Sequence, residues 1–260
     1  MRKKAFLVWG IIVGVLGVGG LFTQWWVGLI LLLVAALLIF LYFKVKVAPT
    51  SSEVQKQQAE SDKDGKNMFT KKTIRSKEIK LNGFRRIIAI DTETTGLNPE
   101  NDRIVEIGAA VFEKEHDPIS TFSTLINPGT PIPSEASKVN HITNETVKNA
   151  PRESEAMAAF ADFLQSYASE DHPLILVAHN ASFDIRFIEN AFKRYGINVS
   201  GMYVDTLSSS RSILKDLDNY KLGTLAEYYG IENPQAHRAL GDAETVGHLF
   251  RHLLSGILNS

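Results

Sequence analysis

The stretch Ile87–Gly96 reads IIAIDTETTG, a short apolar, β-branched run that ends abruptly at acidic residues. In a β-strand, side chains two positions apart point to the same side, so Asp91 and Glu93 are expected to project together from the strand end. Two carboxylates at such a short distance repel each other, and the repulsion is costly away from water. A hard divalent cation with oxygen ligands would relieve it. The same sequence is also compatible with a strand that simply ends in a polar turn.

Composition limits the kinds of site that the chain can build. The chain has 260 residues, of which 44% are apolar and 22% charged, as is ordinary for a globular protein of one or two domains. Residues 1–47 carry five basic residues and no acid, which leaves 23 basic and 29 acidic residues and a net charge of −6 for residues 48–260. This balance argues against binding nucleic acid by net charge alone. The lack of cysteine excludes disulfides, thiolate zinc sites and a cysteine nucleophile.

Residues 5–43 are almost wholly apolar and are interrupted by Thr23 and Gln24. As one helix they would be ~58 Å long, against a hydrocarbon core of ~30 Å. We therefore predict a membrane anchor over 1–47, a transmembrane helical hairpin with spans at 5–22 and 25–43. Basic residues flank both outer ends, which predicts a multi-pass protein of the cell membrane with the remaining chain in the cytoplasm and the lipid bilayer as a partner. The alternatives are a cleaved signal peptide, or one span followed by an interfacial segment.

Residues 48–82 are rich in polar and charged residues and predict a flexible linker, because they offer too little apolar surface to fold alone. A compact domain is predicted over 83–260. Its strands come first and then alternate with helices, which is typical of an α/β layered domain. The predicted strands are Arg86–Asp91, Ile104–Phe112, Ile119–Ile126, Leu174–Ala178 and an edge strand at Met202–Asp205, and the predicted helices are Ser154–Tyr167, Phe183–Tyr195, Leu222–Tyr229 and Ala239–Leu254.

Two more acids are candidates for the same site. Asp184 follows the fourth predicted strand in HNASFD, at the sheet edge where α/β folds place ligands, although an Asp there also suits a helix cap. Asp242 comes five residues after His237 in HRALGDAE, a spacing that leaves the two residues on different faces of one helix. They converge if His237 lies on the loop before the helix, where a histidine suits proton transfer. A solvent-facing histidine near a helix start is the alternative.

The order and spacing of these residues resemble the three motifs of the DEDDh-type 3′→5′ exonucleases, the family that includes the epsilon proofreading subunit of bacterial DNA polymerase III and RNase T. The motifs are Asp91-x-Glu93, Asn180-x-x-x-Asp184 and His237-x-x-x-x-Asp242. Three further stretches are also similar to the family: Thr94–Leu97, Ile104–Gly108 and Tyr220–Ala226. The chain departs from it at Asn140–Thr143, which reads NHIT where the family often has HGIT.

The resemblance implies a ribonuclease-H-like α/β fold with a five-stranded mixed sheet flanked by helices. It also implies metal-dependent hydrolysis of phosphodiesters at 3′ ends, with two divalent cations, Mg²⁺ or Mn²⁺, and release of 5′-mononucleotides. By analogy, Asp91 bridges both ions, Glu93 and Asp242 hold the ion that activates water, and Asp184 holds the other. His237 is implied as the acceptor of the water proton, since histidine titrates near neutral pH.

The resemblance further implies that residues beside the motifs bind the 3′ end of single-stranded DNA or RNA. These are Thr94, Thr95, Gly96, Leu97, Ile142, Asn180 and Phe183. For Leu97, Ile142 and Phe183, packing inside the protein explains the residue equally well. Two other functions stay open at this point. The chain could be a proofreading subunit of a DNA polymerase, or a catalytically inactive nucleic-acid-binding module, and its protein partners are unknown.

Overall fold

The computed structural model describes residues 67–76, 79, 86–113, 118–169, 173–215 and 217–258. They all belong to one structural unit, Lys56–Ser260. The strands in these residues are β1 (Phe69–Lys72), β2 (Arg86–Thr94), β3 (Ile104–Glu113), β4 (Ser120–Leu125), β5 (Ile175–Ala178) and β6 (Gly201–Asp205). The helices are α1 (Ser134–Asn140), α2 (Asn144–Val147), α3 (Glu153–Ser166), α4 (Ser182–Arg194), α5 (Thr206–Ile213), α6 (Leu222–Tyr229) and α7 (Ala239–Leu258).

The strands form one mixed sheet in the order β1-β6-β5-β2-β3-β4. β2, β3 and β4 make an antiparallel meander, whereas β5, β6 and β1 run parallel to β2. A meander followed by strands that alternate with helices is the α/β architecture that the sequence predicted. Because β2 is a central strand with neighbours on both sides, its apolar residues are buried on both faces of the sheet.

The edge strand β1 is the main difference from the predicted fold. It pairs with β6, so the sheet has six strands rather than five and β6 is not an edge strand. Phe69 is buried, and its N–H donates to Glu189 Oε1 of α4 at 2.9 Å. Strand β1 falls inside the predicted flexible linker over 48–82. The prediction of a flexible segment is therefore wrong for Phe69–Lys72. Three buried apolar side chains, Phe69, Ile74 and Ile79, and the backbone pairing with β6 order this part of a largely polar segment.

The two faces of the sheet carry separate apolar cores. Ile88 and Ile90 of β2 belong to a core that includes residues of α3 and α4. Ile87 and Ala89 belong to a second core that includes residues of α7. Successive side chains of a strand alternate between the faces, so the last residues of β2 also point in turn towards α7 and towards α4.

Among the described residues, no helix combines the length and the apolar character that crossing a bilayer requires. The longest of these helices, α7, carries Asp242 and Glu244, and its apolar side chains pack against the sheet. This finding contradicts the predicted multi-pass location in the cell membrane with a cytoplasmic catalytic domain, and nothing supports the lipid bilayer as a partner. The predicted anchor over 1–47, with spans at 5–22 and 25–43, lies outside the described residues.

Candidate active site

Three carboxylates meet between β2 and α7. Asp91 and Glu93 follow Ile87 and Ala89 on the α7 side of β2 and are half-buried. Asp242 reaches them from the first turn of α7. Each of the three residues offers a carboxylate oxygen that lies within 4.8 Å of the other two. The structure thus brings together the acids of the first and third predicted motifs.

Asp184 of the second motif approaches from the opposite face of the sheet. It lies in the first turn of α4 and is buried. Its Oδ1 accepts hydrogen bonds from Thr92 N–H at 3.0 Å and from Thr92 Oγ1 at 2.8 Å. Thr92 is the residue between Asp91 and Glu93, and strand alternation turns it towards α4. The sequence analysis missed this role, although a hydroxyl between the two acids of the first motif was a visible signal.

Burial and repulsion raise the pKa of three of these carboxyl groups. Burial, followed by the charges of Asp184 and Asp242, holds the pKa of Asp91 well above its usual range. Burial and the charge of Asp242 raise the pKa of Glu93 to about 8, and burial raises that of Asp184 to about 7. Within the part of the chain that the structure describes, no lysine or arginine forms an ion pair with any of the four acids.

The donor set fits a hard divalent cation. Every candidate ligand is a carboxylate oxygen, which is the ligand type that Mg²⁺ and Mn²⁺ prefer. Asp91, Glu93 and Asp242 are close enough to share one ion. Asp184 is the charged neighbour with the strongest effect on the pKa of Asp91.

His237 lies on the loop before α7, which begins at Ala239. The backbone N–H of His237 donates to Asp242 Oδ2 at 3.1 Å, so this hydrogen bond joins the loop to the first turn of α7. The side chain is exposed, and the backbone has φ +64°, a left-handed conformation that is uncommon for residues other than glycine. Asn233, which the sequence analysis missed, donates from Nδ2 to Asp242 Oδ1 at 2.7 Å.

The last residue of β2 and the loop after it provide four of the predicted substrate-binding residues. Thr94 and Thr95 are buried and bond within the loop, with Thr94 Oγ1 donating to Gly96 O at 2.6 Å and Thr95 N–H donating to Arg103 O at 2.9 Å. Leu97 is 83% exposed. The two threonines therefore shape the loop, whereas the Leu97 side chain is available to a ligand.

The two predicted substrate-binding residues near α4 differ in their surroundings. Phe183 is half-buried and packs on Phe187, with 4.9 Å between ring centroids. Asn180 is exposed with φ +61°, and its N–H donates to Asp205 Oδ1 at 3.0 Å. The same Asp205 oxygen accepts from Ala181 N–H at 3.3 Å. Asp205, which the sequence analysis missed, thus fixes the turn that starts α4 and carries Asp184.

Ile142 does not lie where a base could reach it. It is 2% exposed and packs in a small core with Val105, Ile132 and Val147, so the predicted contact with a terminal base is corrected to a packing role. The neighbouring Asn140, which was not predicted as a site residue, interacts with Glu93 of the acidic cluster. A hydrogen bond from its side chain lowers the pKa of Glu93, and its Oδ1 accepts from Ile142 N–H at 3.0 Å.

Comparison with known proteins agrees with this geometry. The family model RNase_T, described as exonuclease, matches residues 88–250, which is more than half of the chain. The DNA polymerase III epsilon subunit of Treponema pallidum is 38% identical over 172 residues, covering 64% of this chain and 75% of that subunit. A PolC-type DNA polymerase III of Caldanaerobacter subterraneus is 40% identical over 167 residues, covering 64% of this chain.

The chain spans only 11% of the length of that polymerase. Among solved structures, E. coli exonuclease I in complex with a dT13 oligonucleotide is similar with a TM-score of 0.55 and 18% identity, over 64% of this chain and 40% of that protein. At this identity the likeness concerns the fold. It supports the ribonuclease-H-like architecture, here with a six-stranded mixed sheet.

Proposed function

The chain belongs to the RNase_T exonuclease family, and from this premise we propose that it removes nucleotides from the 3′ ends of single-stranded nucleic acid by metal-dependent hydrolysis. Membership of the family confirms the predicted exonuclease class and its use of divalent cations. The proposal adds the direction, the substrate, the product and the residues that act.

The observation that carries the proposal is the convergence of the four acids at the end of β2. Asp91, Glu93 and Asp242 would hold one cation, and Asp184 with Asp91 would hold a second. Bound divalent ions supply positive charge that offsets these carboxylates and stabilises the charge developing on a phosphate. Thr92 keeps the Asp184 carboxylate turned towards the site through its two hydrogen bonds.

His237 is the group that we assign to proton transfer. Its imidazole is exposed, and its backbone is tied to Asp242. In hydrolysis, the water oxygen forms the new P–O bond while its proton goes to the histidine, and the P–O bond to the 3′ oxygen of the preceding nucleotide breaks. The product that balances this step is a 5′-mononucleotide.

The surroundings of the acids favour one strand end as the substrate. Leu97 is exposed on one side, and Phe183 offers part of its ring on the start of α4. Apolar and aromatic side chains hold unpaired bases by stacking without reading their sequence. Solved structures of exonuclease I that share the fold contain oligonucleotides. We therefore propose 3′ ends of single-stranded DNA or RNA as substrates.

The test uses the full chain with Mg²⁺ and matched single-stranded DNA, single-stranded RNA and duplex substrates, labelled at the 5′ end. We expect a ladder of products shortened from the 3′ end and free 5′-mononucleotides. Asp184→Asn and Asp242→Asn should abolish the reaction. Asp162→Asn, which changes an exposed acid of α3, should not. Activity that survives in both site variants would overturn the assignment of these residues.

A proofreading subunit is the second candidate, because the epsilon subunit of Treponema pallidum is similar over three quarters of its length. Such a protein would bind a polymerase and prefer mismatched 3′ ends. Co-purification with a polymerase, together with faster hydrolysis of mismatched than of matched primer ends, would favour this function. Equal rates on both ends and a lack of polymerase in the purified material would exclude it.

An inactive binding module is the remaining alternative. Substitution of a site acid is the expected feature of such a protein, whereas Asp91, Glu93, Asp184 and Asp242 are all present here. Tight binding of an oligonucleotide without turnover in either Mg²⁺ or Mn²⁺ would favour the binding module over the exonuclease.

A further inference from the structure

A fifth carboxylate lies beside the acidic cluster and is not part of the proposed ligand set. Glu106 of β3 is 1% exposed and lies directly opposite Glu93 of β2 in the antiparallel pairing. Its negative charge contributes to raising the pKa of both Asp91 and Glu93. Like charges at directly opposed positions of two strands are destabilising, so a group elsewhere in the chain is needed to compensate Glu106.

Arg238 is that group. Its Nε donates to Glu106 Oε1 and Oε2, both at 3.1 Å, and its Nη2 donates to Oε1 at 2.5 Å. The N–H of Ala239, the first residue of α7, donates to Glu106 Oε2 at 3.1 Å. Glu106 is thus bound by the two residues that follow His237. With both oxygens engaged by these donors, Glu106 is less suited to bind a cation than the neighbouring acids.

Strand β3 also constrains the start of α7 sterically. Gly108 lies two residues after Glu106 on the same face of β3 and opposite Asp91. A Cβ at Gly108 would collide with the backbone of Ala239 and Leu240. The first turn of α7 therefore rests on β3 at the closest possible distance. Glu106 and Gly108 together allow little freedom at the point where the loop of His237 enters the helix.

We propose that Glu106 and Arg238 form a positioning pair that sets the His237 loop for proton transfer. This inference rests on the proposed function, because it assigns the pair an effect on the exonuclease reaction. The left-handed backbone of His237 is unfavourable for this residue and persists only where surrounding contacts hold it. The Glu106–Arg238 contacts on one side and the Asp242 hydrogen bond on the other provide that constraint.

A second ion pair supplies the matched control. Glu153 at the start of α3 is 3% exposed, and it accepts hydrogen bonds from Arg194 Nε at 3.3 Å and Arg194 Nη2 at 2.8 Å. This pair joins α3 to α4 and contacts neither His237 nor Asp242. Arg194→Ala and Arg238→Ala therefore each leave one buried carboxylate without its main arginine, and only Arg238→Ala does so beside the site.

The kinetic test is a double-mutant cycle in the full chain. Arg238→Ala should lower kcat by ~10- to 100-fold and leave KM nearly unchanged, the size of effect seen when a supporting contact of a metal site is lost. In a His237→Ala background the same change should lower kcat by less than about threefold, because the group that it positions is absent. Arg238→Lys keeps the charge but not the planar fork and should lie between Arg238→Ala and the unsubstituted protein.

Two kinetic outcomes would overturn the inference. An equal loss of kcat with and without His237 would show that Arg238 acts independently of the histidine. A rise in KM with kcat unchanged would show instead that the half-exposed Arg238 side chain binds a phosphate of the substrate. Arg194→Ala should leave both kcat and KM within about twofold of the unsubstituted protein, because it touches no group that contacts substrate.

Hydrogen exchange separates this inference from the proposed function. Arg238→Ala, or Arg238→Lys if the alanine variant does not fold, should speed amide exchange in residues 232–242, whereas Arg194→Ala should not. Unchanged exchange in this segment would overturn the positioning role whatever the activity. Faster exchange in a chain without nuclease activity would support the positioning of the loop and overturn the proposed function alone.

Discussion

Glu153 is buried and the acids at the end of β2 are buried or half-buried, but only Glu153 forms ion pairs with arginines of the chain. Glu153 accepts hydrogen bonds from Arg194 and from Tyr195 Oη at 3.0 Å, and Arg103 lies 3.8 Å away. The site acids Asp91, Glu93 and Asp184 have raised pKa values, and none of them forms an ion pair with an arginine or lysine among the described residues.

This difference separates a structural acid from the acids of the candidate site. A buried carboxylate that is fully paired stabilises the packing of the elements that it joins. A group of unpaired carboxylates lowers the stability of the fold until a cation or protons neutralise it. Burial alone does not mark the site, since Glu153 and Asp184 are buried to a similar degree. The lack of a neutralising partner is the feature that marks it.

Asp91→Asn should have the largest effect on activity. The amide removes the charge of the proposed shared ligand, so we expect the rate of 3′-end hydrolysis to fall by at least ~10³-fold. The same change removes repulsion, so the metal-free variant should unfold at a higher temperature than the unsubstituted protein. End-labelled substrates and thermal unfolding in EDTA measure the two effects. A variant that is inactive and also less stable without metal would point to damage to the fold instead.

Metal affinity should depend strongly on pH. Cations bind the ionised carboxylates, and the raised pKa values of Glu93, about 8, and Asp184, about 7, place their ionisation near neutral pH. If both groups must lose a proton, affinity for Mn²⁺ should therefore rise by roughly 500-fold between pH 6 and pH 8, with about 50-fold from Glu93 and about 10-fold from Asp184. Calorimetric titration at the two pH values tests this. Equal affinities would contradict the raised pKa values.

The stability of the metal-free protein should change with pH in the opposite direction. A carboxyl group whose pKa is higher in the folded state holds its proton more tightly there, so its stabilising contribution is complete below the unfolded pKa and is lost as pH rises through the folded pKa. For Glu93 this window runs from 4.5 to about 8. Thermal unfolding in EDTA should show a lower midpoint at pH 8 than at pH 6, and Mn²⁺ should reduce the difference.

Thr92→Val should have a smaller effect than the loss of an acid. The side chain keeps its shape but loses the hydroxyl that donates to Asp184 Oδ1, while the backbone N–H still donates. We expect a loss of kcat of about 10-fold, typical of a supporting contact at a metal site. Thr245→Val, which removes a buried hydroxyl on α7 that bonds Gly241 O, is the control and should change kcat little. Similar losses in both variants would indicate a general packing effect.

Arg194→Ala should have the smallest effect on activity although it lowers stability. It leaves Glu153 buried with weaker partners, which should lower the free energy of unfolding by about 3 kcal/mol. The acids of the site keep all their contacts, so the rise in midpoint on adding Mn²⁺ should stay the same. Denaturant unfolding and thermal unfolding with and without Mn²⁺ measure both quantities. A changed response to Mn²⁺ would mean that the two acid groups are coupled.

The sequence predicted the parts of the site that depend on local patterns. Alternation along β2 placed Asp91 and Glu93 on one side, and the spacing of His237 and Asp242 placed a helix start between them. Both inferences need only the geometry of one strand or one helix. The pairing of Asp184 with Thr92 needed the two elements to meet across the end of the sheet, which no local pattern contains.

Other features depended on contacts between distant residues. Glu106 and Arg238 are 132 positions apart, so neither gave a signal alone. β1 lies in a polar segment, and its order comes from pairing with β6, which follows more than a hundred residues later. Ile142 has the same apolar character whether it contacts a base or packs in a core, and only its burial decided between these roles.

The edge strand β1 determines where a fragment that contains the complete sheet can begin. A fragment that starts at residue 83, the predicted domain boundary, would lack β1 and expose the backbone edge of β6 that now pairs with Phe69–Lys72. Unpaired edges of this kind recruit strands from other molecules and promote aggregation. Fragments for crystallisation or expression should therefore begin before Phe69, and self-association of a shorter fragment would report a lost strand rather than a natural oligomer.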